Sequence, residues 1–105
     1  MIAIVQFTCP DRAAAEAIAR TLLEEHLIAC ANIIGPCRSI YRWEGVIEEA
    51  DEVVMQLKTM STYAPAAMAR IAALHPYALP AIEHWPAETA PELAEWITAS
   101  TEAVK

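Results

Sequence analysis

Strand-like and helix-like runs follow one another along the 105 residues in the order β-α-β-β-α-β, with one more helix at the end. That order is the split βαβ plan. It predicts an α+β, ferredoxin-like fold in which two helices cover one face of a four-stranded antiparallel sheet. Two further features agree with it. The middle strands are long and joined by a tight glycine turn, and prolines punctuate the element ends.

Ile2 to Phe7 is a short apolar run rich in β-branched residues and reads as a buried strand. Thr8-Cys9-Pro10-Asp11 punctuates, and Pro10 or Asp11 suits a helix start. Ile18, Ala19, Leu22 and Leu23 recur near a 3.6-residue period, opposite Arg12, Glu16, Arg20 and Glu24. The result is an amphipathic helix ending near His26. Ile28 to Tyr41 is strand-like but interrupted by Gly35-Pro36, which marks a bulge or an edge because proline donates nothing to a ladder. Trp43-Glu44-Gly45-Val46 is the turn, and a second strand runs from Val46 to about Thr59. Ser61 or Thr62 caps a second helix with Pro65 in its first turn and Met68, Ile71, Ala72 and Leu74 as its stripe. His75-Pro76 ends it. Leu79 to Trp85 reads as a fourth strand, and Pro91 opens a last helix with Leu93, Trp96 and Ile97 on one side. No repeat or linker divides the chain, so residues 1–105 read as one domain.

The hairpin is out of proportion to the rest. Two strands of ~14 residues reach roughly 46 Å at ~3.3 Å per residue. A 105-residue globule has a radius of gyration of ~13 Å, hence a diameter of roughly 33 Å. The hairpin therefore overshoots its domain and bares strand edges, which a partner subunit is the simplest means of covering.

Composition narrows the function classes. The net charge is −7. Nucleic-acid surfaces need clustered Lys and Arg, and anionic membranes attract the same residues, so neither is an expected partner. No signal peptide and no membrane span are visible. The three cysteines, Cys9, Cys30 and Cys37, form no paired framework. A cytoplasmic protein is the expectation.

Cysteine, histidine and carboxylate are the side chains that take soft or borderline metals, here Cys9, Cys30, Cys37, His26, His75 and His84. None lies in a diagnostic metal spacing. Cys30 and Cys37 are seven apart and face opposite ways in a regular strand, unless a bulge at Gly35-Pro36 restores a shared face. Both also read as packing residues. His75 closes a helix, where it can bond the last carbonyls. Glu52 and Lys58 share a strand face but stand roughly 20 Å apart. Glu44, Glu48, Glu49, Asp51 and Glu52 form an acidic patch near the hairpin tip, read as a charged edge or a cation attractor. Tyr41 and Trp43 share a face and read as packing or interface anchors. No nucleophile–base pair and no phosphate-binding glycine loop is present, which favours a binding or regulatory protein over an enzyme.

Four motifs, in order and spanning nearly the whole chain, resemble one family. Leu27-Ile28-Ala29-Cys30-Ala31-Asn32 looks like its L-A-A-C-V-N strand. Ser39-Ile40-Tyr41-Arg42-Trp43-Glu44-Gly45 resembles its S-x-Y-x-W-x-G hairpin tip. Glu52 with Lys58-Thr59 is similar to its E…K-T strand end. His75-Pro76-Tyr77-Ala78-Leu79-Pro80-Ala81-Ile82 matches its H-P-Y-x-x-P-x-I element. The family is the CutA divalent-cation-tolerance proteins. The resemblance implies a homotrimer of ferredoxin-like domains, similar in shape to PII-type signalling trimers, with long hairpins paired between subunits. It implies a role in tolerance of copper or another divalent cation bound at intersubunit clefts. It makes Cys30 and His75 the expected metal ligands and Tyr41, Trp43, Glu52, Lys58 and Tyr77 the cleft lining. Ala78 and Ala81 stand where the family often carries acidic residues. The alternatives are a PII-like signalling or protein-interaction scaffold, and an enzyme using His75, Lys58 or Glu52 across the interface.

Overall fold

The computed structural model of the chain describes residues 1–102. The elements are β1 (Ile2–Cys9), α1 (Arg12–Glu24), β2 (Cys30–Trp43), β3 (Val46–Met60), α2 (Ala64–Leu74), β4 (Ile82–Ala87) and α3 (Pro91–Thr101), with a 3-10 turn at Ser61–Tyr63. The sheet order is β2-β3-β1-β4, and every pairing is antiparallel. This is the ferredoxin-like arrangement.

Alternation along β1 turns Ala3, Val5, Phe7 and Cys9 to one face. There they meet Met55 and Leu57 of β3 and Ala15, Ile18, Leu22, Ala67 and Ile71 of α1 and α2. Each large apolar side chain fully buried here contributes about 1.5–3 kcal/mol. Among the described residues the opposite face is covered at one end, where Ile97 and Leu93 of α3 pack on Ile2, Ile4 and Met60. The helix left over by the βαβ plan therefore has its own small core.

Local chemistry sets the element ends. The Asp11 carboxylate accepts from the Ala14 N–H at 2.8 Å and caps α1. At the other end His26 takes φ 59°. The His26 N–H bonds the Leu23 carbonyl and the Leu27 N–H bonds the Leu22 carbonyl, a Schellman closure with histidine in the usual glycine place.

Several boundaries differ from the sequence reading. β2 starts at Cys30 rather than Ile28, because the Leu27 carbonyl is taken by the Thr59 hydroxyl at 2.7 Å instead of the ladder. β4 is Ile82–Ala87 rather than Leu79–Trp85. Pro80 can donate nothing, whereas Pro86 is admitted because β4 is an edge strand with a free side. Ser61 does not cap α2; its hydroxyl donates to the Ile2 carbonyl at 3.1 Å. The stripe of α2 is Ala64, Ala67 and Ile71, with Met68 and Leu74 partly buried and Ala72 exposed. On α3 Ile97 is buried, but Trp96 remains 46% exposed.

The hairpin overshoots as its length requires. β1 pairs with β3 only from Val53 to Met60, so among the described residues Val46–Glu52 has β2 on one side and no strand on the other. The longest dimension of the molecule is 46 Å, against 27 and 21 Å for the others. The tip closes through Glu44 and Gly45, at φ 50° and 81°, between paired Trp43 and Val46. Two successive positive φ values are what a two-residue turn of matching twist needs. The register slips by one residue between Ile34 and Cys37. Gly35 sits in that bulge at φ 154°, where an added Cβ would lie 3.1 Å from the Val53 Cα. No described helix is long and apolar enough to cross a membrane.

Candidate functional site

β1 ends and α2 ends at the same place, the root of the hairpin. Pro76 pushes His75 into extended backbone, and the His75 N–H makes the last helical bond to the Ile71 carbonyl at 2.8 Å. The buried imidazole folds toward the end of β1. Its Nε2–H donates to the Thr8 carbonyl at 2.7 Å, and its Nδ1 accepts from the Tyr77 N–H at 3.1 Å. A backbone carbonyl only accepts and a backbone N–H only donates, so this pair of bonds fixes the neutral tautomer protonated on Nε2. The Phe7 ring meets the imidazole edge-on with centroids 5.8 Å apart, and the Cys9 Sγ lies 3.8 Å from Nε2.

The next residues turn back over the hairpin. The Tyr77 hydroxyl donates to the Glu52 Oε2 at 2.8 Å, and its ring tilts against His75 at 4.8 Å. Glu52 is only 7% exposed. Burial, and then the hydrogen bond and charge of Glu52, hold the Tyr77 phenol well above its usual range, with smaller additions from Tyr41 and Cys9. Burial also pushes the Cys9 thiol up to about 11, with the charges of Asp11 and Glu52 adding to it. A thiol held protonated in this way is a packing group rather than a nucleophile.

The structure gathers some of the expected residues and separates others. Cys30 pairs with Lys58 and Cys37 with Glu52, so the bulge does return both thiols to one face. Six residues of β3 separate those two positions, roughly 20 Å, so the thiols share no ligand within one chain. Cys30 and His75 are also apart. His75 contacts Cys9, which faces Val53, five residues or roughly 17 Å along β3 from Lys58. The metal pair expected from the resemblance is thus not assembled inside a single subunit. Among the described residues, no group of three or more His, Cys, Asp or Glu is arranged to hold a metal ion.

Of the expected cleft lining, Glu52 and Tyr77 touch, and Tyr41 follows Cys37 on the face that Glu52 occupies. Trp43 stands at the tip, and Lys58 at the far end donates to the Asn32 Oδ1 at 3.4 Å. The acidic patch is not one cluster, because Arg38 pairs with both Glu49 and Asp51 at 3.0 Å while Glu52 is buried. His26 donates from Nδ1 to the Ser100 carbonyl at 3.3 Å, and His84 lies on β4 opposite Val5. Sequence reasoning missed the contact of Cys9 and the Thr8 carbonyl with His75. The inward alternation Ala3, Val5, Phe7 could have been extended to Cys9, but nothing local points to its partner.

The fold is shared with known proteins. The model of the family described as CutA1 divalent ion tolerance protein matches residues 3–100. The divalent-cation tolerance protein CutA of Thermus thermophilus is 39% identical over 99 residues, covering 93% of this chain and 96% of its own. Mouse Protein CutA is 40% identical over 98 residues, covering 92% of this chain but 55% of its own length. The chain thus spans about half the length of the mammalian relatives it matches. The Thermus thermophilus crystal structure superposes with a TM-score of 0.91, covering 97% of this chain and 100% of that one at 39% identity. The structure described as a periplasmic divalent cation tolerance protein CutA from Archaeoglobus fulgidus gives 0.92 at 38% identity, covering 97% and 100%. With a family model over almost its whole length and relatives near 40% identity, the chain belongs to the CutA1 divalent ion tolerance protein family.

Proposed function

We propose that the chain is a homotrimeric, non-enzymatic protein of metal-ion tolerance, whose long hairpins pair between subunits and whose ligand site is the cleft at the hairpin root. The observation that carries the assembly is the uncovered distal hairpin. Val46–Glu52 has one free edge, and Ile40, Tyr41, Trp43, Val46 and Ile47 are exposed along the same stretch. Bare apolar edges of this kind are covered in stable proteins, and a second copy offers matching strands. The names of the relatives point to divalent cations, and a thiol favours copper among them.

Cation binding in this reading is shared between subunits, because one chain does not cluster the donors. Cys30 supplies a partly exposed thiol. His75 joins it only by releasing the Tyr77 N–H, since its Nδ1 lone pair is otherwise occupied. Glu52, Tyr77 and Tyr41 line the cleft, with Trp43 and Lys58 reaching it from a neighbouring copy. The free thiols suit a reducing compartment, so the cytoplasm is the proposed location.

Sedimentation tests the assembly, and a monomer overturns it. Calorimetric titration of copper and zinc into the wild type, Cys30→Ser and His75→Ala tests the ligands. Equal affinities in all three remove both residues from the site.

A further inference from the structure

The Glu52 carboxylate lacks a countercharge. It is nine-tenths buried, yet none of the ion pairs among the described residues includes it. The adjacent strand carries two cations: Arg38 is committed to Glu49 and Asp51, and Arg42 donates to the Gly45 carbonyl at the hairpin tip. Lys58 stands roughly 20 Å away in the same chain. A buried anion without a partner is costly, and a carboxylate has about four lone-pair positions to satisfy. Glu52 uses one of them, on Oε2, for the Tyr77 hydroxyl. Oε1 has no hydrogen-bond partner among the described residues. Because none of their buried side-chain oxygens is left without a partner, Oε1 keeps an opening to solvent. Next to Glu52 stands the partly exposed ring of Tyr77, and Tyr41 lies four residues further along the same hairpin face.

We propose that Glu52 and Tyr77 form the recognition point for an alkylammonium group, which donates to Oε1 and lies against the aromatic ring. The inference rests on the reading of the hairpin root as the ligand cleft. Three features select this chemistry. A divalent metal needs four or more donors, and the Glu52–Tyr77 pair leaves one oxygen, Oε1, unengaged, so a metal shared between subunits draws its donors from other groups of the cleft. A guanidinium fork is best matched by two free carboxylate oxygens, and Tyr77 already uses one lone pair of Oε2. An ammonium is a point charge that is satisfied by one oxygen and an aromatic wall. The group comes either from a free amine or from Lys58 of a second copy, one of only two lysines in the sequence.

The test follows the carbon shift of the Glu52 side-chain carboxyl while n-butylammonium is titrated into the full chain, with n-butanol as the neutral control. A saturable shift with the amine alone in the wild type assigns a free amine. A shift that appears only in Lys58→Met assigns the lysine of a second copy. No amine-specific shift in either protein overturns the proposal. Tyr77→Phe keeps the response, since it frees Oε2 and retains the ring. Glu52→Gln, which keeps shape and hydrogen bonding, weakens binding at least ~10-fold, read from the Tyr77 ring signals. Equal binding by Glu52→Gln and wild type also overturns it. Glu52 and Tyr77 belong to one chain, so a monomer by sedimentation would end the assembly reading and leave this test intact.

Discussion

His75 donates from Nε2 to the Thr8 carbonyl across 2.7 Å, tying the end of the second helix to the end of the first strand. Its other nitrogen holds the Tyr77 N–H. His75→Ala leaves both backbone groups without partners beneath the hairpin root. Unsatisfied buried groups cost about 1–3 kcal/mol each, so the expected loss is about 2–6 kcal/mol. Urea denaturation at fixed protein concentration measures it. A loss under ~0.5 kcal/mol would mean that water replaces the ring freely.

Stability should fall on the alkaline side. The Cys9 thiol is raised from the usual 9.0 to about 11 by burial. The unfolded chain therefore releases this proton before the folded one does. The contribution is complete below about pH 9 and is lost as pH rises toward about 11. Tyr77, raised in the same sense, extends the decline to higher pH. Cys9→Ala should flatten the first part of the slope in thermal melts at stepped pH. An unchanged slope would exclude Cys9 as its source.

Gly35→Ala should destabilise by about 1–3 kcal/mol, because a side chain there combines an unfavourable φ with a contact at 3.1 Å to the Val53 backbone. The same change at Gly45 meets nothing within 4 Å and strains only the turn. Its cost should be about 1 kcal/mol. Comparing the two melts separates close approach from backbone preference.

Ile47→Asp probes assembly alone. Ile47 is 64% exposed and lies beyond the reach of β1. A charge there should leave the circular dichroism of the domain unchanged and shift the sedimenting species toward a monomer. An unchanged oligomer would place the interface elsewhere.

The architecture was readable because strong local signals agreed with one another. Gly35-Pro36 announced the bulge, Glu44-Gly45 the turn, and the hairpin's length its overshoot. Where packing decides, the reading slipped. Ala72 and Trp96 fit helical stripes but lie on exposed faces, because α2 and α3 rotate to bury Ala67 and Ile97 instead. Pro86 looked like a strand end, but an edge strand tolerates it. The candidate site was half legible. Glu52, Tyr41 and Tyr77 were named from resembling motifs, but the bond between Glu52 and Tyr77 spans 25 positions. The contact of Cys9 with His75 spans 66 and depends on where α2 ends relative to β1. No local pattern encodes such a meeting.

The position of β1 in the sheet bears on synthesis. It is the earliest strand in the sequence, yet it lies between β3 and β4, with Ile2 paired to Met60 on one side and Ala87 on the other. While the chain leaves the ribosome, its second edge stays open until residue 87 has emerged. Such distant pairing slows closure and leaves an apolar strand available to other chains meanwhile. A pause in translation between the second helix and the last strand therefore leaves that edge bare even though the hairpin has formed.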